Sequence, residues 1–396
     1  MKKIISVAVA ASVFVAGSVM ASGFRIPEQS IDSIAKSGAS VASADSADAA
    51  YYNPAGMALL PDSWLLETNV TYLHLTSIAY EDKRSPLYDG DSLKENFLLP
   101  TFFMVSPEFS NFRFGFSLTG PYGLQKRWDD VFPKAMAKQY GIKVFELNPT
   151  FSYKINEMFA ISGGVRGIYT EASLRTDGVA FGAPVMELDG DSTEFGWNIG
   201  VDAKLNENLN VALTYRSKID LGWEGDATVF IPGKGTIPTP GAVTVPAPAV
   251  LTASVAATVD EWTFDLTVDQ TFWSEYEALV IDFERLPNVT EIKEWEDSLA
   301  FRLGVEYDLN EALTLMAGFA YDECPVTEAH LGFELPDSDA WLFSLGAKYR
   351  MSESMEIGVA VLYDYKEERD VKNSRIDGTI SNASAVLVSF GLSYMF

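Results

Sequence analysis

The chain has 396 residues but only one cysteine and two histidines. It has few basic residues and, after residue 21, no run of 18 consecutive apolar residues. Each shortage excludes something. A lone thiol, Cys324, cannot form an intrachain disulfide. His74 and His330 have no serine at a spacing that supports a catalytic triad, so hydrolase chemistry is not indicated. The fragment DGDS, at Asp89–Ser92 and again at Asp189–Ser192, lacks the acidic spacing of a calcium loop. No nucleotide or redox motif is present, so neither a cofactor nor a resident metal is expected. Lys and Arg number 29 against 55 Asp and Glu, a formal charge of −26, which excludes ordinary nucleic-acid binding. Without a long apolar run there is no transmembrane helix.

Export is nonetheless written at the start. Lys2 and Lys3 precede the mostly apolar run Ile4–Val15, and Val19-Met20-Ala21 has the small-residue form of a cleavage site. Residues 1–21 therefore read as a secretory signal peptide. Cleavage would leave 375 residues with a formal charge of −28. No cysteine lies near the site, so a lipoprotein is not expected.

What the chain has in quantity is alternation. Aromatics make up 13% and apolar residues 47%, high for so charged a chain, and the two are reconciled by period two. Phe396, Tyr394, Leu392, Phe390 and Val388 form one face of the last segment. Phe195, Trp197, Ile199 and Val201 alternate with Gly196, Asn198, Gly200 and Asp202. Leu299, Phe301, Leu303, Val305 and Tyr307 oppose Ala300, Arg302, Gly304 and Glu306. A sandwich core would also alternate, but its second face would not carry so much Gly, Asp, Glu, Arg and Thr. A lipid-facing band with aromatic girdles explains both faces.

The connections alternate as well. Six are short and polar, near residues 107–111, 155–157, 206–208, 260–261, 308–311 and 352–354. Seven are longer, near 81–96, 125–142, 172–191, 224–247, 275–295, 323–338 and 367–381, with the Pro-rich Pro232–Ala249 read as an extended outside loop. The expected fold is all-β: a transmembrane antiparallel β-barrel of about fourteen strands spanning residues 62–396, its short turns periplasmic. The aromatic C-terminus, Phe396, is similar to the signal read by the barrel-assembly machinery, a partner during biogenesis.

Residues 22–61 do not alternate. Ile31 and Ile34 have helical spacing, with Gly38 as a stop. Asn53 suits a helix cap and Pro54 a first helical position. Two or three short helices rich in Ala, Ser and Gly cannot hold a core alone, so they are expected to plug the lumen.

Here the residues match a family. The stretch SGFRIPEQSIDSIAKSGASVASADSADAAYYNPAGMALLPDS resembles the N-terminal hatch of the FadL/TodX family of outer-membrane channels for hydrophobic compounds. GWNIGVDAKLNENLNVALTYRSKI and AYDECPVTEAHLGFELPDSDAWLFSLGAKY resemble its central and late strands. The resemblance implies a hatch-plugged barrel in the outer membrane of a Gram-negative bacterium. It implies passive uptake of long-chain fatty acids or of aromatic, toluene-like hydrocarbons, and no enzymatic activity. The hatch residues carried over are Phe24, lining an internal ligand site, and the Asn53-Pro54-Ala55 triplet. A lateral gate is implied beside a kinked third strand, here at Gly120-Pro121-Tyr122-Gly123, where proline removes a ladder donor and glycine tolerates a bulge.

The loop LQKRWDDVFPKAMAKQYGIK reads as an amphipathic helix offering Trp128, Val131, Phe132 and Met136 as an outer landing groove. A fatty-acid carboxylate needs a cation. Arg175, Arg216 and Lys218 are the candidates for the outer half of the lumen, the last two on the inward face of strand seven. Around KEWEDSLAF the inward positions read as acidic, which favours uncharged hydrocarbons. Outer-membrane lipid and lipopolysaccharide are the expected surroundings. The rival reading is a general polar-solute porin, which has no such plug.

Overall fold

The computed structural model describes residues 23–396. The proposed signal peptide lies outside them.

Fourteen strands close into one antiparallel barrel. They are β1 (Leu65–Leu75), β2 (Glu95–Val105), β3 (Phe112–Thr119, continued by Gly123–Arg127), β4 (Gln139–Lys154), β5 (Phe159–Asp177), β6 (Val185–Asn206) and β7 (Leu209–Arg216, continued by Ile219–Ile231). The second half is β8 (Gly235–Ala247, continued by Val250–Val259), β9 (Trp262–Thr271), β10 (Ser298–Asn310), β11 (Leu313–Asp322), β12 (Ala340–Ser352), β13 (Met355–Lys366) and β14 (Ser384–Met395). The ring closes where β1 meets β14, from Leu65 opposite Met395 to Leu75 opposite Ala385. Closure leaves no edge, which lipid requires.

Alternation decides which side chains face out. Val70, Tyr72, Phe195, Trp197, Phe301, Leu303, Phe390 and Leu392 are exposed on the outer surface. Their neighbours Thr71, Asn198, Arg302 and Ser389 are buried within. Aromatic pairs mark the strand ends, Trp262 with Tyr307 at 4.3 Å and Tyr321 with Trp341 at 4.7 Å. An arginine or lysine placed mid-band would cost ~2–4 kcal/mol, so the pattern is strongly selected.

The six short turns stand where the sequence puts them. The long connections differ in one respect. Gly235–Ala247 is not a free loop but a strand paired residue for residue with Ile219–Ile231, leaving a turn at 232–234. Its prolines, Pro238, Pro240 and Pro246, all fall on alternate positions of the strand, so their missing donors lie along one edge of it and are tolerated. The loop after β5 likewise shrinks to residues 178–184, because β5 and β6 pair up to Asp177 and Val185. Four short strands, Ala79–Asp82, Gly90–Asp91, Arg369–Lys372 and Asp377–Ser381, form a separate small sheet over the β1–β14 seam.

The N-terminal segment lies within the ring. Its helices are α1 (Ile31–Ala35) and α2 (Ala49–Tyr52), followed by a 3-10 turn at Pro54–Leu59. Ser30 caps α1 by accepting from Ser33 N at 3.2 Å, and the helix stops before Gly38, whose φ is +84°. Asn53 caps the 3-10 turn by accepting from Gly56 N at 3.2 Å. Inward glycines let α1 touch the wall. A Cβ on Gly346 would stand 2.4 Å from Ala35 Cβ, and one on Gly318 2.2 Å from the Lys36 carbonyl carbon.

Candidate ligand path

The wall is uneven. The ladder between β2 and β3 runs only from Phe102–Leu118 to Val105–Gly115. Beyond that point β2 pairs with β1 alone, and the second piece of β3 pairs with β4 alone. Nearer the loops the two sides meet again. Leu93 N donates to Arg127 O at 2.9 Å, and the Arg127 guanidinium grips the Glu95 carboxylate at 2.7 and 2.8 Å. A window is left between them, along the β2 edge from Asn96 to Thr101. Pro100 sits on that edge with its β1 pairing unbroken, so its missing N–H costs nothing there. Sequence reading found the kink at Gly120–Gly123 but passed over Pro100, its counterpart on the other rim.

The first residues of the N-terminal segment fill the window from inside. Gly123 N donates to Phe24 O at 2.9 Å, and Ile26 N donates to Pro121 O at 2.8 Å. Arg25 forms a bridge opposite Tyr122. The Gln29 side chain meets both polar groups of Gly120. Gly120 N donates to Oε1 at 2.9 Å, and Nε2 donates to Gly120 O at 3.1 Å. The kink's backbone groups are thus satisfied by the segment rather than by β2.

Phe24 also lines an apolar cavity. Its ring lies 4.8 Å from Trp273 and 6.2 Å from Trp295, and those two indoles are 4.9 Å apart. Tyr276 stands edge-on to Trp295, and Leu124, Ile142 and Val243 complete the wall. The free volume is about 60 Å³. Holding a benzene ring takes ~150 Å³, so any cargo must displace side chains first. Among the described residues, the buried indole N–H groups of Trp273 and Trp295 have no hydrogen-bond partner. Lys293 is the cavity's cation, paired with Glu334 and, at 3.2 Å, with Glu291, which Arg375 also holds at 3.1 Å. Burial opposes the Lys293 charge, but the two carboxylates outweigh it and raise its pKa above the ordinary lysine value. Lys293 and Arg375 in turn depress Glu291 against its own desolvation. In KEWEDSLAF it is Lys293 and Trp295 that turn inward, while Glu294, Glu296 and Asp297 are exposed; this corrects the acidic reading. These aromatics lie in long loops, where no periodicity flags them.

The other sequence candidates are scattered. Tyr122 lies at the window, its ring 6.1 Å from Phe24. Asn53, Pro54 and Ala55 are buried at the turn end. Asn53 Nδ2 donates to Asp202 at 2.6 Å, and Ala55 packs on Ala160. Only Val131–Ala137 of the predicted loop helix is helical, since the residues on either side join β3 and β4. Val131 is exposed there and Phe132 and Met136 half-buried, beside exposed Leu87 and Phe181. Phe132 stacks on Tyr88 at 4.7 Å. Trp128 is no part of a groove. It is fully buried and donates to Phe333 O at 2.8 Å.

None of the three proposed carboxylate partners is free. Arg216 points inward but is ion-paired with Glu146 and sits 4.3 Å over the Tyr51 ring. Lys218 points outward to Glu275 at 2.7 Å. The inward face of β7 passes from Thr214 and Arg216 to Ile219 and Leu221 across the break in the strand, so Lys218 falls on the other side. Arg175 also faces out, held by Asp189 at 2.8 Å, because inward-facing Leu174 precedes it.

A closed fourteen-stranded barrel with an apolar cavity and an interrupted wall is the architecture of an outer-membrane channel. Residues 12–396 match the family described as outer membrane protein transport protein (OMPP1/FadL/TodX), and the chain belongs to it. It is 28% identical over 419 residues to the 47 kDa outer membrane protein of Pasteurella multocida, covering 96% of each chain. It is 24% identical over 310 residues to the long-chain fatty acid transport protein of Salmonella typhi, covering 69% of this chain and 71% of that one. Among solved structures, a Pseudomonas aeruginosa FadL homologue superposes with a TM-score of 0.86 at 20% identity, covering 94% of this chain and 99% of that one. The toluene transporter TodX of P. putida gives 0.73 at 17% identity, covering 95% and 99%. The protein is thus a Gram-negative outer-membrane transporter of hydrophobic compounds.

Proposed function

We propose that the channel takes up long-chain fatty acids passively and releases them sideways into the outer membrane. One observation carries this reading: Phe24 lines the aromatic cavity with its ring and closes the window with its carbonyl. Cargo lands on the apolar patch of Val131, Phe132 and Met136, then enters the cavity by displacing the Phe24 ring. That displacement draws the Phe24 carbonyl from Gly123, and the kink at Gly120–Gly123 becomes the exit. Residues 22–61 stay as a plug against polar solutes. Movement is downhill and needs no energy source.

A carboxylate head would meet the Trp295 indole N–H, which has no partner among the described residues, with Lys293 on the same cavity wall. Relatives described as long-chain fatty acid transport proteins support the same cargo. A second reading, aromatic hydrocarbons, is favoured by the ring-lined walls and by the neutralisation of Lys293. The test is saturable binding of radiolabelled oleate and of toluene to purified protein in detergent, with a sugar as control. Oleate binding with no sugar permeation in liposomes is expected. Toluene binding alone would move the assignment to the second reading, and sugar permeation without either would sink both.

A further inference from the structure

We infer that the Gln29 side chain is a removable rung of the barrel wall, and that its release from Gly120 is the step that opens the window. This rests on the lateral route proposed above, and it names the residue on which that route turns.

The primary amide of Gln29 copies a peptide group. Its Oε1 accepts from Gly120 N at 2.9 Å, and its Nε2 donates to Gly120 O at 3.1 Å and to Ile26 O at 2.9 Å. A backbone strand at this place would fix the window shut, since every rung of a ladder is tied to its neighbours. A side chain is not so tied. It can turn about its own torsions while its backbone stays put. The Gln29 backbone is held independently, its N–H donating to Tyr52 Oη at 2.7 Å and its carbonyl accepting from Thr101 Oγ1 at 2.8 Å. The rung can therefore leave Gly120 without unseating the segment.

The bond to Ile26 O links the rung to the cavity. Ile26 N is bonded to Pro121 O, and Phe24 O to Gly123 N. Displacing Phe24 pulls Ile26 and strains the Gln29 amide that Ile26 shares with Gly120. Three contacts on one short stretch then break together. Pro121 supplies no donor that could re-form the wall against β2.

The experiment compares full-length wild type with Gln29→Met, which keeps the volume and loses all three bonds. Amide hydrogen exchange and flux of a fluorescent fatty acid are measured in the same proteoliposomes. Exchange of the Gly120 and Gly123 amides should rise at least about tenfold, with the α1 amides unchanged and flux increased. Unchanged exchange at Gly120–Gly123 would overturn the inference. So would faster local exchange with wild-type flux, which would make Gln29 a purely structural residue. If Gln29→Met does not assemble, Gln29→Asn, one methylene short of Gly120, gives the same readouts. Wild type that carries no fatty acid would remove the proposed cargo, while the exchange comparison would still decide the rung.

Discussion

Opposite sides of the barrel hold the N-terminal segment by different chemistry. Among the described residues, every ion pair from the segment to the wall runs to β9, β10 or β12. Arg25 meets Asp269 at 3.2 Å, Lys36 meets Asp265 at 2.9 Å and Glu306 at 3.6 Å, and Glu28 meets Arg302 at 3.5 Å. Asp32 and Asp45 meet Lys348 at 3.0 and 3.5 Å. In a fourteen-stranded ring, β9 and β10 stand directly across from β2 and β3. On that far side, at the window, the contacts are neutral: two backbone rungs, the Gln29 amide and the Thr101 hydroxyl. Breaking a buried ion pair costs ~3–5 kcal/mol, and breaking a neutral hydrogen bond only ~1 kcal/mol. The difference teaches where motion is cheap. Ion pairs moor the segment on one side and neutral contacts hold it on the other, which suits the lateral gate proposed above.

The largest effect should come from cutting the mooring. Arg302 also holds Asp269 and Asp322, each at 3.1 Å. Arg302→Met removes the cation shared by Glu28, Asp269 and Asp322 and is expected to cost ~3–5 kcal/mol. A lower temperature for loss of the heat-resistant folded form on gels, with large ungated conductance in planar bilayers, would check it; wild-type conductance would mean that the moorings do not hold the plug. Next comes the hinge side. Replacing Gly120–Gly123 by alternating strand residues should abolish fatty-acid uptake while leaving binding intact. Normal uptake in that variant would show the kink to be only a turn.

A smaller change is expected from Arg127→Met. The pair with Glu95 closes the loop end of the window, but Arg127 is partly exposed, and such pairs are worth ~0–1 kcal/mol. Uptake should rise slightly and lose its dependence on salt. Smallest is a pH effect in the outer loops, away from both sides. Burial disfavours the Asp82 charge, yet Arg84 and the Tyr80 hydroxyl, at 3.1 and 2.6 Å, hold its pKa below the ordinary aspartate value. A depressed carboxylate stabilises above its unfolded pKa, ~3.9, and the benefit fades as pH falls toward the lower folded value. Protease nicking between residues 83 and 89 should therefore appear only below about pH 4. In Arg84→Met the folded value moves up toward the unfolded one, so the acid-dependent part of the nicking should shrink.

Strand number, facing and turn positions were legible because period two is a local signal. Phe195 and Trp197 lie on the lipid side for the same reason that Gly196 and Asn198 do not. The kink was legible from Gly120-Pro121, since proline and glycine act on their own backbone. What escaped was relational. Pro100 looks like one apolar letter in FLLPTFF until the broken ladder beside it is known. Gln29 looks like any polar residue in a helical stretch. The Pro-rich stretch paired as a strand because its partner, Ile219–Ile231, is itself strongly β-forming. Lys218 changed face at a strand break that TYRSKI does not announce. Trp128 belongs to the core because Phe333, two hundred residues away, offers its carbonyl.

The small sheet over the β1–β14 seam has a consequence in time. Tyr80 pairs with Ile380, and Thr76 Oγ1 donates to Asn382 O across 306 residues of chain. Contacts of such high order form late, after the entropy of a very large loop has been lost. The sheet can knit only once the last strand has found the first. Interactions made after the rate-limiting step slow unfolding far more than they speed folding. The seam is thus the last part of the molecule to be fastened, and the fastening acts as a ratchet: the finished ring opens far more slowly than it closed.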